Sequence, residues 1–455
     1  MNIGGGRSSR LLLVAVSSGS VLNPLNSSMI AVALVDITRA FKLSFAGASW
    51  LISAYYLASA VGQPVMGRLG DLIGRRRVFL AGLVVVGLSG LAAAVAPTFG
   101  LLVAARVVQA CGSSALYPAG VGILREADVD RRAQALGVMS IVASVSAAIG
   151  PTIGGALVGW QGWPTIFLVN LPAVAVSLAL ALIALPRDDR PWISPAALLR
   201  QFDLPGAGCF SAALAFLLAF LVSLHDSPAW WALGLSILAA VVLGYVERRR
   251  DRPFLDLAAL RANRVLVGVY AGQALANFVF YAIFFGIPSY LQAARGDGAE
   301  TAGLIMMPIT VLAVVTTPFA ARLVDRHGSQ LVLSAGSVAL VAGALVLLAV
   351  RPGLSDAGIA GLLALTGIGV GCTNLALQTA MYDAAPAAEM GAASGLFQTA
   401  RYVGTMLAAG TLGVVFGERI DAAQLHQLAL ILGAAAVMLT VSTLRRPRPV
   451  RLAPR

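Results

Sequence analysis

The sequence predicts an all-α polytopic membrane protein, a chain that crosses the bilayer many times as helices. Of its 455 residues, 58% are hydrophobic and only 11% are charged, and the mean hydropathy is +0.86. A water-soluble protein of this length needs a much larger charged surface. The arginines also gather between alternate apolar runs, a pattern typical of multi-pass membrane proteins.

Apolar runs long enough to cross the bilayer occupy almost the whole chain. The hydrocarbon core is about 30 Å thick, so a helix needs roughly 20 apolar residues to span it. The first run is retained in our interpretation, because no small-residue cleavage site follows it. We predict fourteen spans and no soluble domain, with the spans near 11–35, 48–66, 79–97, 100–124, 136–158, 163–185, 206–224, 229–246, 265–292, 300–320, 331–350, 357–381, 391–416 and 425–443.

The placement of the positive charge predicts the orientation of the chain. The net charge of +12 could suggest a nucleic-acid partner, but the arginine clusters all lie on one side of the fourteen-span arrangement. These clusters are 75–77, 125–132, 248–250 and 445–448, whereas the loops 96–99, 159–162 and 225–228 carry almost no positive charge. Positively charged loops stay in the cytoplasm. We therefore expect a protein of the inner (plasma) membrane with both termini in the cytoplasm, in contact with the lipid bilayer and with no nucleic acid.

A short motif occurs twice, which indicates a duplication. "GRLGDLIGRRRV" (67–78) is matched by "ARLVDRHGSQLV" (321–332), 254 residues later, and a second matching position, Gly137 with Gly395, has an offset of 258. Two unrelated positions with nearly the same offset indicate two equivalent halves. Because the offset is too long for six spans, two helices are inserted. The predicted parts are an N-terminal six-helix bundle at 1–185, two inserted helices and linkers at 186–262, a C-terminal six-helix bundle at 263–443 and a basic cytoplasmic tail at 444–455.

Several ordered motifs resemble those of the major facilitator superfamily. "GRLGDLIGRRRV" resembles its motif A, "RVVQACGSS" (106–114) its motif B, and "GVMSIVASVSAAIGPTIGG" (137–155) its motif C, the antiporter signature. "WLISAYYLASA" (50–60) and "FLVNLP" (167–172) resemble the fourteen-helix drug:proton antiporter branch, of the multidrug efflux type. The resemblance covers nearly the whole chain and implies the major facilitator fold.

Motif A and its repeat are predicted to form a gate. Asp71 can cap the positive N-terminal end of a neighbouring helix, which the resemblance implies is the thirteenth predicted span (391–416). Asp325 would do the same against the fifth predicted span (136–158). Arg75 and Arg76 can pair with Glu126 or Asp128. The predicted gating residues are Gly67, Asp71, Gly74, Arg75, Arg76, Asp325, Arg326 and Gly328.

Motif C is predicted to bend helix 5 and to let another helix pack closely against it, rather than to bind a ligand through side chains. Pro151 lacks an N–H donor and bends helix 5, and the small residues beside it let another helix pack at the bend. The predicted residues of this motif are Gly137, Gly150, Pro151, Gly154 and Gly155.

Polar side chains inside the predicted spans share helix faces and indicate a central substrate cavity. An arginine inside a membrane costs roughly 3 kcal/mol unless it faces water or a partner, and two occur, Arg106 in helix 4 and Arg401 in helix 13. For any single polar residue, a hydrogen bond between helices is as good an interpretation as contact with a ligand. The residues expected to line the cavity are Asn23, Asn26, Ser27, Tyr55, Tyr56, Gln63, Arg106, Gln109, Tyr117, Gln273, Asn277, Asn374, Gln378 and Arg401.

The polar group in "VLNPLNSSMIAVALVD" (21–36) bears on substrate and coupling. Asn23, Asn26 and Ser27 share one face of helix 1, and the resemblance places Asn26 where the antiporter branch has an aspartate. Asparagine cannot titrate, and no Asp or Glu lies in the membrane interior of a predicted span, so the usual proton-coupling carboxylate is absent. Two arginines without a carboxylate disfavour lipophilic cations. We therefore expect neutral, zwitterionic or anionic amphiphiles as substrates.

Three interpretations of the function stay open. The first is an exporter of small amphiphilic molecules or drugs that works by alternating access, driven by protons or by the substrate gradient. The second is an importer or facilitator of a neutral or anionic metabolite, and the third is a non-transporting membrane sensor or assembly partner. An enzyme is not expected, and neither is a metal or other cofactor, because the sequence has no nucleophile with a base, no metal-ligand spacing and no phosphate loop.

Overall fold

The computed structural model describes residues 6–127, 132–188, 203–224, 227–249, 260, 262–385, 390–417 and 419–444. Within these ranges the chain is helical almost throughout, and no strand occurs. Ten of the described helices are long and apolar enough to cross a membrane. Helices suit that environment because they satisfy every backbone hydrogen bond within one segment.

The helices follow one another through short connections. The first half of the chain contains α1 (Gly6–Ala40), α2 (Phe45–Ile73), α3 (Arg75–Ala94), α4 (Phe99–Ala127), α5 (Arg132–Gln161), α6 (Thr165–Leu168) and α7 (Asn170–Ala184). Two helices follow, α8 (Leu204–Ser223) and α9 (Trp230–Glu247). The second half contains α10 (Arg264–Ala294), α11 (Ala299–Ile305), α12 (Met307–His327), α13 (Ser329–Leu345) with a 3-10 turn (Val346–Ala349), α14 (Asp356–Ala384), α15 (Met390–Phe416) and α16 (Ala422–Leu444).

Two of the predicted spans are each divided into a short and a long helix. The span near 163–185 becomes α6 and α7, and the span near 300–320 becomes α11 and α12. Pro308 lies in the first turn of α12, where its missing N–H cannot continue the hydrogen bonds of α11. At the other break, the side-chain amide of Asn170 donates to the carbonyl oxygens of Ile166 (3.0 Å) and Phe167 (3.3 Å).

Successive long helices run in opposite directions, which gives the bundle two ends. Arg76 at the start of α3 donates to the carbonyl oxygen of Leu182 near the end of α7. At the opposite end, Arg295 after α10 pairs with Asp356 at the start of α14, at 2.7 Å. We call the first the basic end, which carries Arg75, Arg76 and Arg77. The second is the aromatic end, defined by Trp50, Trp160, Trp163, Trp230 and Trp231, of which all but Trp163 are exposed.

The helices of the two halves have matching neighbours. In the first half, α1 packs against α5 and α7, and α4 packs against α2 and α3. In the second half, α10 packs against α15 and α16, and α14 packs against α12 and α13. Each of these contacts in one half therefore has a counterpart in the other.

The glycine shared by the two matching motifs lies at the same kind of corner in each half. Gly74 separates α2 from α3 with φ of +110°, and Gly328 separates α12 from α13 with φ of +88°. Side chains other than hydrogen rarely permit these angles. The repeated glycine is therefore explained by backbone geometry.

The two halves meet along three sets of helices. Helix α2 packs against α15, α5 packs against α11 and α12, and α1 packs against α10. The pair α8–α9 lies beside this interface and touches α2 and α15 through α8. The interface between the halves is therefore formed by α1, α2 and α5 on one side and by α10, α11, α12 and α15 on the other.

Candidate functional site

A polar cluster lies inside the first half around Arg106 of α4. Its Nη1 donates to Oδ1 of Asn26 on α1 at 3.1 Å and to Oε1 of Gln109 at 2.7 Å. The guanidinium group also lies 4.0 Å above the ring of Tyr55 on α2, a favourable cation–π geometry. Arg106 and Asn26 are each only 1% exposed. The cluster therefore joins three helices around one positive charge through neutral partners.

A second set of contacts continues this cluster along α1. The hydroxyl of Tyr55 donates to Oδ1 of Asn23 at 3.1 Å and lies 3.2 Å from the hydroxyl of Ser113. Ser27 donates to the carbonyl oxygen of Asn23 at 2.9 Å. The predicted polar face of α1 is thus turned toward α2 and α4 of its own half.

The second half has its own arginine, Arg401 on α15. Its Nη2 donates to the hydroxyl of Tyr281 on α10 at 2.9 Å. On α10, Asn277 donates to the carbonyl oxygen of Gln273 at 2.8 Å, and both side chains are buried. Unlike Arg106, Arg401 is only half-buried.

Tyrosine side chains connect the two halves. The ring of Tyr56 on α2 lies 5.6 Å from the rings of Tyr281 and Tyr402, measured between centroids. Two turns of helix further along α2, Nε2 of Gln63 donates to the hydroxyl of Tyr402 at 2.6 Å. We call Tyr55, Tyr56, Tyr281 and Tyr402 the tyrosine layer. The structure thus places most of the predicted cavity residues in two groups, one in each half, that meet at this layer.

Three predicted residues are less enclosed than most of the others. Tyr117 and Gln378 are half-buried, on α4 and α14, and Asn374 on α14 is exposed. Tyr402, in contrast, was absent from the predicted set although it bonds Gln63. An aromatic residue next to Arg401 is the signal that sequence reasoning could have used.

The two halves close on each other at the aromatic end. Nε2 of Gln292 on α10 donates to the carbonyl oxygen of Val32 on α1 at 3.0 Å, and the Arg39 guanidinium lies 3.5 Å from the Gln292 carbonyl oxygen. The hydroxyl of Thr152 on α5 lies 3.4 Å from the carbonyl oxygen of Gly303 on α11. Residues 29–34 of α1 are at most 1% exposed. This end of the interface is therefore shut.

The glycines of motif C bring α5 against helices of both halves. A Cβ atom on Gly154 would lie 3.0 Å from the Cα of Met29 on α1, and one on Gly150 would overlap the Ser28 hydroxyl. A Cβ atom on Gly155 would lie 2.5 Å from the carbonyl oxygen of Ala299 on α11. Pro151 lies inside α5 and is buried, and Gly137 lies near the beginning of that helix.

Two arginines of motif A bind Asp188, an acidic residue that was not among the predicted gating residues. The carboxylate of Asp188 accepts hydrogen bonds from the backbone N–H groups of Arg76 (3.2 Å) and Arg77 (2.9 Å), and so caps α3. A carboxylate stabilises a helix N-terminus because it satisfies free N–H groups and opposes the helix dipole. A Cβ atom on Gly74 would overlap this carboxylate.

The side chains of Arg75 and Arg76 have described contacts with backbone carbonyl oxygens, and their predicted pairing with Glu126 or Asp128 stays a prediction. Nη1 of Arg75 donates to the carbonyl oxygen of Gly122 at 2.8 Å, and Arg76 donates to Leu182 at 3.1 Å. Asp128 and the side chains of Glu126 and Asp71 lie outside the described part of the chain.

The remaining predicted gating residues are spread over both halves. Gly67 faces α4, where a Cβ atom would lie 3.5 Å from Pro118. Asp325 and Arg326 are exposed at the end of α12. Over the described residues, no group of three or more His, Cys, Asp or Glu side chains has the spacing of a metal site.

Comparisons with known proteins identify the family. The profile of the Major Facilitator Superfamily matches residues 16–409. The chain is 43% identical over 440 residues to an uncharacterized MFS-type transporter, YwoD, of Bacillus subtilis, covering 96% of this chain and 97% of YwoD.

Relatives whose names state a transported compound are less similar to this chain. The tetracenomycin C resistance and export protein of Streptomyces glaucescens is 30% identical over 418 residues, covering 90% of this chain and 76% of that protein. The riboflavin transporter RibZ of Clostridioides difficile is 26% identical over 330 residues, covering 71% and 70%. With the helical bundle and the matching halves, these similarities lead to one conclusion: the chain belongs to the major facilitator superfamily of membrane transporters.

Proposed function

We propose that this protein exports small amphiphilic molecules by alternating access, with the substrate path between the two halves. The observation that carries the proposal is the interface itself. Polar side chains of α1, α2, α4, α10 and α15 meet near it, while contacts such as Gln292 with Val32 close it at the aromatic end. A carrier of this kind works when such a closure opens at one end as the other closes.

The proposed architecture is fourteen transmembrane helices in a six, two, six arrangement. The N-terminal bundle comprises residues 1–185, the inserted helices 186–262 and the C-terminal bundle 263–443. The matching neighbours in the two halves support this division, and so does the position of α8 and α9 beside the interface. The concentration of arginine at the basic end supports a cytoplasmic location for that end and for both termini.

The charge of the interior supports a preference for neutral, zwitterionic or anionic amphiphiles. Arg106 and Arg401 contact neutral groups, namely Asn26, Gln109 and Tyr281. A cationic ligand would bring a third positive charge into a weakly screened environment, which opposes binding. Export of tetracenomycin C by a relative supports the direction of transport.

Transport by the purified protein in proteoliposomes tests this proposal. We expect uptake of anionic and neutral amphiphiles to exceed that of matched cations. A pH gradient that accelerates transport would identify protons as the coupling ion, whereas equal rates would identify the substrate gradient as the driving force. Asp36, near the end of α1, pairs with Arg39 at 3.6 Å. Strong efflux of the cation ethidium that survives Asp36→Asn would contradict the charge preference.

A second candidate is an importer or facilitator of a neutral or anionic metabolite, since one relative is named as a transporter of a metabolite, riboflavin. Uptake measured separately in right-side-out and inverted vesicles distinguishes the two directions. A non-transporting sensor or assembly partner is tested with Asp71→Asn. If this substitution abolishes a resistance or accumulation phenotype at normal expression, the protein transports.

A further inference from the structure

The two interior arginines have different surroundings, which separates their roles. Arg106 is 1% exposed and enclosed by Tyr55, Asn26 and Gln109. Arg401 is half-buried, and in the described part of the chain it donates one hydrogen bond, to the hydroxyl of Tyr281. A guanidinium group has five N–H donors in a planar fork. Arg401 therefore has donors left for a ligand and part of its surface accessible, whereas Arg106 is enclosed.

The tyrosine layer next to Arg401 is divided between the halves. Tyr56 belongs to α2, whereas Tyr281 and Tyr402 belong to α10 and α15, and the ring centroids are 5.6 Å apart. When the halves move apart, these ring faces lose their partners. A flat ligand ring that replaces them needs roughly 7 Å between Tyr56 and Tyr402, which is twice the contact distance between carbon atoms.

Charge and shape therefore indicate the same class of ligand. An aromatic surface stacks favourably on tyrosine rings, and a carboxylate accepts two parallel N–H bonds from arginine. Over the described residues, no carboxylate contacts Arg401, so a ligand anion would be its first charged partner.

We propose that Arg401, Tyr56, Tyr281 and Tyr402 form a binding site for flat aromatic compounds that carry one negative charge, such as aromatic carboxylates. This inference rests on the proposed function and names its class of substrate. Arg401 binds the anion, Tyr281 holds the guanidinium group through its hydroxyl, and Tyr56 and Tyr402 contact the ring. Arg106 holds α1 against α4 and does not contact the ligand.

Three probes with one ring system and different charges test the site. They are 2-naphthoate, the neutral 2-naphthamide and the cationic trimethyl-(2-naphthyl)ammonium. Binding to the purified full-length protein is measured by isothermal titration calorimetry, and transport of 2-naphthoate is measured in proteoliposomes. We expect the wild type to bind 2-naphthoate about tenfold or more tightly than 2-naphthamide, because a charge-assisted bidentate contact is lost in the amide.

The variants separate charge from ring contact. Arg401→Gln is expected to remove the preference for 2-naphthoate while leaving 2-naphthamide binding within about twofold, and Arg401→Lys to retain much of the preference. Tyr56→Leu is expected to weaken both probes equally, because it removes ring contact and not charge. Arg351→Gln, at an exposed arginine of the aromatic end, makes the same change of charge far from the site and is expected to bind as the wild type does.

Each outcome bears on one of the two proposals. An unchanged ratio of 2-naphthoate to 2-naphthamide binding in Arg401→Gln overturns the site. If that variant cannot be purified folded, equal ratios in wild type, Arg401→Lys and Tyr56→Leu, with no preference for the anion, overturn it as well. Binding of 2-naphthoate that depends on Arg401 without any transport overturns the proposed function and leaves the site standing.

Discussion

Arg106 carries a positive charge in the interior of the first half, where neutral side chains surround it. Its bond to Asn26 spans 3.1 Å, and both residues are only 1% exposed. Removing one partner of a buried charged donor costs about 1.5–3 kcal/mol. We expect Asn26→Leu to lower the free energy of unfolding by about 2 kcal/mol, measured as a lower melting temperature in detergent micelles.

Ser18→Ala is the matched control on the same helix. Its hydroxyl donates only to the Ala15 carbonyl oxygen one turn earlier, so the melting temperature should stay close to that of the wild type. An equal decrease in the two variants would show that the contact with Arg106 contributes nothing.

Residue by residue, the sequence predicted which groups are polar and on which helix face they lie, but not which of them meet. Helical periodicity places Asn26 and Arg106 on defined faces. Whether those faces touch depends on how two helices 80 residues apart pack, and periodicity within one helix carries no such information. The same limit explains why Gln292 and Tyr402, which bond across the halves, were missed.

Gly74 and Gly328 allow backbone strain to be separated from steric overlap. Both have positive φ, but a Cβ atom on Gly74 would overlap the Asp188 carboxylate, whereas one on Gly328 meets no described atom within 4 Å. We expect Gly328→Ala to lose about 1–3 kcal/mol of stability from strain alone. Gly74→Ala should lose clearly more, measured by the melting temperature. Equal losses would refute the contribution of the Asp188 cap.

At the scale of elements, helix α5 approaches α11 of the other half by means of Gly155. We expect Gly155→Ala to weaken closure of the aromatic end, because its Cβ atom would lie 2.5 Å from the Ala299 carbonyl oxygen. Ser289→Cys on α10, in a background without the native cysteines, reports opening through its rate of maleimide labelling. The serine is fully buried and lies one turn before Gln292, which bonds α1 of the other half, so we expect its labelling to increase when the halves part.

Gly159→Ala is the matched control for this prediction. It lies one turn further along the same helix, and its Cβ atom would meet only the Cβ of Glu300, at 3.8 Å, an ordinary contact. Labelling of Ser289→Cys should be faster in the Gly155→Ala variant and unchanged in the Gly159→Ala variant. Faster labelling in both would mean that tight glycine contact does not control closure.

Long helices were predictable from the sequence because an apolar run in lipid must satisfy its own backbone bonds. The breaks before Asn170 and at Met306 were not predicted, because the apolar character continues through both. Pro308 is the sequence signal that could have located the second break. The cap of α3 by Asp188 was also missed. It brings together residues more than 100 positions apart. In the sequence, Asp188 is one of several charged residues in a loop, and nothing there marks it as a helix cap.

At the scale of the whole molecule, alternating access requires the halves to move as units relative to each other. Thr152 on α5 and Gly303 on α11 belong to different halves, and a Cβ atom on Gly303 would lie 3.4 Å from the Cα of Thr152. The two positions are therefore within reach of a disulfide, whose Cα atoms are usually about 4.4–6.8 Å apart. We expect Thr152→Cys with Gly303→Cys, in a background without the native cysteines, to cross-link on oxidation and to stop transport until a reductant is added. A Cβ atom on Gly303 would also lie 2.5 Å from the Pro151 carbonyl oxygen, so the double variant with reduced cysteines serves as the reference for transport.

A cross-link inside one half should have no such effect. Gly343 on α13 and Thr366 on α14 both belong to the second half, and a Cβ atom on Gly343 would lie 3.0 Å from the Cα of Thr366. If each half moves as a unit, this pair of helices keeps its contacts throughout the cycle. Oxidation of Gly343→Cys with Thr366→Cys should therefore leave transport in proteoliposomes as fast as in the same variant with its cysteines reduced. Equal inhibition by the two cross-links would mean that the second half rearranges internally during transport, and the rigid-half mechanism would have to be abandoned.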